Sequence, residues 1–172
     1  MRKNSKQHTS GTPVQELTKM GLIAALYIAI TLVIAPVSFG PIQFRLSEMF
    51  NYLALFHKRY VIAVTLGVVI VNFISSPYGL IDVVIGGLST FFVLIISRAV
   101  TKRIKSLKLK MVVMATIVVV SMITIAGQIY FISDSAETFW FMYLTIAFGQ
   151  LVSMTIGGFI IYFVSKKIDF SK

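Results

Sequence analysis

Long apolar runs, separated by short polar or basic breaks, constrain this chain more than any other feature. A helix needs about 20 such residues to cross the ~30 Å hydrocarbon core of a bilayer at ~1.5 Å per residue. Six spans are expected, at 17–36, 46–56, 60–75, 80–97, 111–132 and 139–164. Backbone inside lipid must satisfy its own hydrogen bonds, so the expected fold is all-α, a bundle of six transmembrane helices. Composition agrees: 57% of the 172 residues are hydrophobic and 13% are charged, too apolar for a soluble domain. The second run has only about 11 residues and is too short to cross upright. It reads as a short or tilted span sharing its depth with the loop before it, which Pro36, Gly40 and Pro41 open.

Residues 1–16 read as a polar, basic arm ahead of a membrane domain at 17–166. The arm leads into no short apolar core with a small-residue cleavage site, so it does not read as a cleaved signal peptide. Charge then orients the spans. The arm, the cluster His57-Lys58-Arg59, the stretch 98–110 and the C-terminal lysines fall on one side of a six-span chain. Of the 16 Lys and Arg, only Arg45 falls on the other. The positive-inside rule makes the basic side cytoplasmic, with both termini inside a cell membrane. This placement also explains the net charge of +10 without nucleic acid as a partner. Cysteine is absent, and His8 and His57 have no metal-ligand company, so neither a metal nor a cofactor is expected.

With that topology the intramembrane polar residues gather in the outer half. Arg45, Glu48 and Asn51 enter from the first loop, and Asn72 lies near the outer end of the third span. Tyr78 lies in the turn before the fourth and Asp82 in its first turn, Gln128 and Tyr130 end the fifth, and Trp140 and Gln150 belong to the sixth. Ionisable groups at such depth are costly, so a polar pocket that opens outward is the default reading of the cluster. The plainer alternatives are an i,i+3 ion pair of Arg45 with Glu48, interhelical hydrogen bonds for Asn72 and Gln128, and belt aromatics for Tyr130 and Trp140. Gly21, Ala25 and Ala29 recur every four residues on the first span, a spacing that lets another helix approach closely. Gly86-Gly87 is not followed by Gly-Lys-Ser/Thr, so no phosphate-binding loop is present and ATP hydrolysis by this chain alone is not expected.

Gln43-Phe44-Arg45-Leu46-Ser47-Glu48, followed by a short Leu/Phe-rich helix, resembles the signature of the QueT family of queuosine-precursor transporters. These are substrate-binding S components of energy-coupling factor transporters. Six spans with both ends inside, and Ala25-xxx-Ala29 on the first helix, are also similar to such components. The resemblance implies capture of a 7-deazaguanine such as 7-aminomethyl-7-deazaguanine from outside, with Arg45 and Glu48 as motif positions. It implies docking through Ala25 and Ala29 on a membrane coupling subunit driven by two ABC ATPases. Asn51, Asn72, Asp82, Gln128, Tyr130, Trp140 and Gln150 rest on depth alone, and Tyr78 on the stacking that a flat ring would seek. The alternatives are an S component for another vitamin-like solute, an intramembrane enzyme using Glu48 and Asp82, and an assembly protein. The first expectation is a transporter and not an enzyme.

Overall fold

The computed structural model of the chain describes residues 12–133 and 137–171, and within them every regular element is helical. α1 spans Pro13–Val33, α2 Ala35–Ser38, a 3-10 helix Leu46–Leu55, α3 Arg59–Ser75, α4 Leu80–Thr101, α5 Leu107–Ile132 and α6 Phe139–Val164. Four of them, α1, α4, α5 and α6, are long and apolar enough to cross a membrane. The six spans expected from hydropathy therefore reduce to four full-length crossings, the 17-residue α3 and the 3-10 helix.

Helix boundaries run past the hydropathy boundaries where capping and basic residues favour it. Thr12 accepts from the Gln15 amide at 3.4 Å and Gln15 Oε1 accepts from the Thr12 amide at 3.1 Å, a reciprocal cap that starts α1 before the expected span. Pro13 occupies the first turn, where its missing N–H is harmless. Residues 1–11 of the expected arm lie outside the described residues. The basic stretch 98–110 is mostly helical, and only 102–106 connect α4 to α5. Lys and Arg are good helix formers whose stems lie along apolar surface, so charge ends the lipid-facing run without ending the helix. At the same end His57 Nδ1 accepts from the Arg59 amide at 3.2 Å. Burial first, then the charges of Arg59, Arg98 and Lys58, with Glu16 opposing, hold His57 below its ordinary pKa.

The 3-10 helix is the axis of the bundle. Ser47 through Ala54 are all buried, enclosed chiefly by α1, α3 and α6. Ten residues at ~2.0 Å per residue reach ~20 Å, against ~15 Å for the same residues as α-helix. Two α6 glycines make room for this chain: a Cβ on Gly157 would overlap Met49, and one on Gly149 would overlap the Ile42 backbone. We expect Gly157→Val to lower stability by about 1–3 kcal/mol through overpacking. The readout is thermal melting of the purified protein, and an unchanged transition would contradict so close an approach of α6 to the 3-10 helix.

The outer surface is apolar, as lipid contact requires. Phe73, Phe131 and Phe159 are 70%, 86% and 65% exposed. The interior carries Tyr27, Leu53, Val64, Leu94, Met114 and Met154 as one buried cluster. α4 is unbroken through Gly86-Gly87, both buried, so these glycines serve packing and not a bend.

Candidate binding site

Side chains three apart eclipse one another on a 3-10 helix. Glu48 and Asn51 therefore stack on one ridge, with Arg45 at its foot as the extended residue before the first turn. All three line a cavity of about 510 Å³, counting its open mouth. Of that, about 40 Å³ is open to the centre of a water molecule. The 3-10 geometry is what turns Arg45, Glu48 and Asn51 toward a common space. Val68 of α3, Ser89 and Thr90 of α4, Ser121 of α5 and Gln150 of α6 complete the wall.

Glu48 is 7% exposed. Tyr27 Oη donates to its Oε1 at 2.6 Å, and Asn51 Nδ2 donates to Oε2 at 2.5 Å. Gln150 Nε2 reaches Oε2 at 3.5 Å. Beside it, Ser47 and Thr31 share a hydrogen bond of 2.6 Å between the 3-10 helix and α1. A carboxylate among three neutral donors is oriented, but no described cation forms an ion pair with it. The i,i+3 pair considered from sequence is absent: Arg45 Nε donates to the Ser38 carbonyl at 3.3 Å and its guanidinium stacks over Phe39 at 4.7 Å. Asn51 Oδ1 is buried and has no partner among the described residues. A cavity lined by an oriented anion, a cation and a free acceptor suits a ligand with a positive group and several N–H donors.

Asp82 belongs to a second polar cluster. Its carboxylate accepts from Ser76 Oγ and Gln128 Nε2, and its backbone oxygen accepts from Asn72 Nδ2 at 2.9 Å. This ties the turn after α3 to the start of α4 and the end of α5. Asp82, Asn72 and Gln128 do not line the Glu48 cavity. Tyr78 lines a second cavity, of about 270 Å³, with Phe39, Glu137 and Ile129. Gln43 lines both cavities and holds φ at 49°, a left-handed conformation that costs a non-glycine residue about 1–3 kcal/mol. Tyr130 and Trp140 are 43% and 64% exposed and line neither cavity. They join an aromatic row on the outside, with Tyr130–Phe139 at 5.9 Å and Phe139–Trp140 at 5.1 Å.

Gly21, Ala25 and Ala29 are exposed, while Ile23, Ala24, Tyr27 and Thr31 form the buried stripe of α1. The small-residue face is therefore not used inside the bundle. Tyr27, Gln43, Ser89, Thr90 and Ser121 are site residues that sequence reasoning missed. Tyr27 had a signal, because it lies four residues before Thr31 on one helical side, a polar pair in an apolar helix. The hydroxyls at 89, 90 and 121 had none, since Ser and Thr are common in membrane helices.

The chain matches the QueT transporter family over residues 17–166. It is also 36% identical over 166 residues to the "Queuosine precursor transporter QueT" of Lactococcus lactis subsp. cremoris (strain MG1363), covering 91% of this chain and 96% of that protein. No solved structure matches the chain. With both the family and the relative spanning nearly the whole bundle, the chain belongs to the QueT transporter family, and it is a multi-pass membrane transporter rather than an enzyme.

Proposed function

We propose that this chain is the substrate-capture component of an energy-coupling factor importer, and that it binds a queuosine precursor in the Glu48 cavity. The ligand in this reading is a 7-deazaguanine such as 7-aminomethyl-7-deazaguanine, since the similar lactococcal protein is named for a queuosine precursor. The observation that carries the reading is the Glu48 carboxylate, buried, oriented by Tyr27, Asn51 and Gln150, and without an ion-pair partner among the described residues. An aminomethyl group is an ammonium at neutral pH and supplies that charge. The guanine-like edge offers N–H donors to Asn51 Oδ1, and its carbonyl oxygen accepts from Arg45. Asp82, with both carboxylate oxygens engaged, holds the 76–79 turn in this reading and acts on the ligand only through Tyr78 and Gln43.

The test is calorimetric titration of the purified chain with the aminomethyl compound and with plain guanine. A preference for the aminomethyl compound of at least tenfold is expected. Equal affinities would remove the role given to Glu48 and favour an S component for another solute.

The coupling partner follows from the exposed face of α1. Gly21, Ala25 and Ala29 offer a helix of the membrane coupling subunit a close approach, and two ABC ATPases then supply the energy. In this reading the 102–106 turn faces the cytoplasm, because the basic residues concentrate at that end. A cysteine placed at Lys105 in this cysteine-free chain is expected to resist impermeant thiol reagents in intact cells, while one at Ser133 reacts. The reverse pattern would invert the orientation.

A further inference from the structure

Between α5 and α6 a mostly apolar groove of about 750 Å³ runs along the outside of the bundle, on the lipid-facing surface. Met111, Ala115 and Val119 form one wall, and Leu151 and Phe159 the other. Tyr52 of the 3-10 helix forms the floor, its hydroxyl donating to the Met154 carbonyl at 3.0 Å. One end is marked by charge. Lys166 Nζ lies 4.5 Å and Lys108 Nζ 5.5 Å from the centroid of the same Tyr162 ring. Both lysines are exposed, and neither is paired with a carboxylate among the described residues.

Both ammonium groups lie over the Tyr162 ring, so this end of the groove carries two positive charges. From Lys108 to Val120 the groove follows α5 for ~18 Å, at ~1.5 Å per residue. A single leaflet of hydrocarbon is half of ~30 Å deep. A groove one leaflet long, mostly apolar and doubly cationic at one end is complementary to an anionic phospholipid. Its walls carry the long side chains of Met111, Leu151 and Phe159 beside the smaller Ala115 and Gly158, which leave the groove its depth.

We propose that this groove seats an acyl chain of one anionic phospholipid, whose phosphate lies between Lys108 and Lys166. The site is separate from the Glu48 cavity and does not depend on which solute is carried. Each basic side chain near a membrane surface contributes appreciably to anionic-lipid attraction, so removing two is expected to reduce retention about tenfold.

The experiment is native mass spectrometry of the purified full chain after exchange into mixed micelles of phosphatidylglycerol and phosphatidylcholine with identical acyl chains. Wild type is expected to retain one phosphatidylglycerol about tenfold more than phosphatidylcholine. Lys108→Ala/Lys166→Ala is expected to lose that preference, while Lys102→Ala/Lys105→Ala, which removes equal charge from the same end, keeps it. Ala115→Phe fills the groove and is expected to lose the lipid with both lysines intact. Equal retention of both lipids by wild type, or equal loss in the control pair, overturns the proposal. So does a disulfide from Val112→Cys to a cysteine in a neighbouring subunit of the assembled transporter, which would mean that protein covers the groove.

Discussion

Glu48→Gln is expected to weaken binding of 7-aminomethyl-7-deazaguanine by about one to two decades. The substitution keeps the shape of the side chain and removes its charge. A charge-assisted hydrogen bond to a buried group is worth about 1.5–3 kcal/mol, which is that range in affinity. The amide also presents an N–H where Tyr27, Asn51 and Gln150 all donate, so one of those contacts becomes donor against donor. Plain guanine lacks the ammonium and is expected to lose less, so the preference between the two ligands collapses. Asp82→Asn is the companion measurement. Its carboxylate is already engaged by Ser76 and Gln128, so a change of about threefold or less is expected in both ligands. Should Asp82→Asn abolish the preference while Glu48→Gln leaves it, the roles of the two carboxylates are exchanged.

Ala25→Trp is expected to stop transport while the purified chain still binds its ligand. Ala25 is exposed on α1, and the opposite side of that helix carries Tyr27 to the binding cavity. An indole on the outer side blocks approach of a second helix by several ångströms without touching Glu48 or Asn51. Uptake assays in cells and calorimetry on the isolated variant separate the two effects. Normal uptake would exclude this face as the coupling surface, and loss of ligand binding would mean that the face also supports the cavity.

Hydropathy located the four long crossings, because a run of apolar residues over 20 positions has one stable form in lipid. It could not distinguish a 3-10 helix from an α-helix over ten residues. That choice is made by packing, where Gly149 and Gly157 let the chain lie against α6, and neither glycine is near it in sequence. Depth reasoning grouped the polar residues by height, and height says nothing of azimuth. Gln128 is buried against Asp82 while Tyr130, two residues on, faces outward, because two residues turn a helix by about 200°. The same limitation put Trp140 and Gln150 of α6 in one cluster, although Gln150 reaches Glu48 and Trp140 lies 64% exposed. Arg45 was legible as a retained charge, since it alone broke the charge asymmetry. Its stacking on Phe39 was not, because the turn through α2 that brings Phe39 back has no sequence period.

The 3-10 helix carries a consequence for how this protein tolerates change. In an α-helix positions three apart drift by about 60° at each step, so positions 45 and 54 would face opposite ways. Here they share a ridge with Glu48 and Asn51, and the ridges through Ser47 and Met49 run alongside it. Saturation mutagenesis across 46–55 should therefore show a rhythm of three in the severity of polar or bulky replacements, while α5 and α6 show a rhythm near 3.6. The beat between the two would mark, from growth data alone, where the backbone changes its winding.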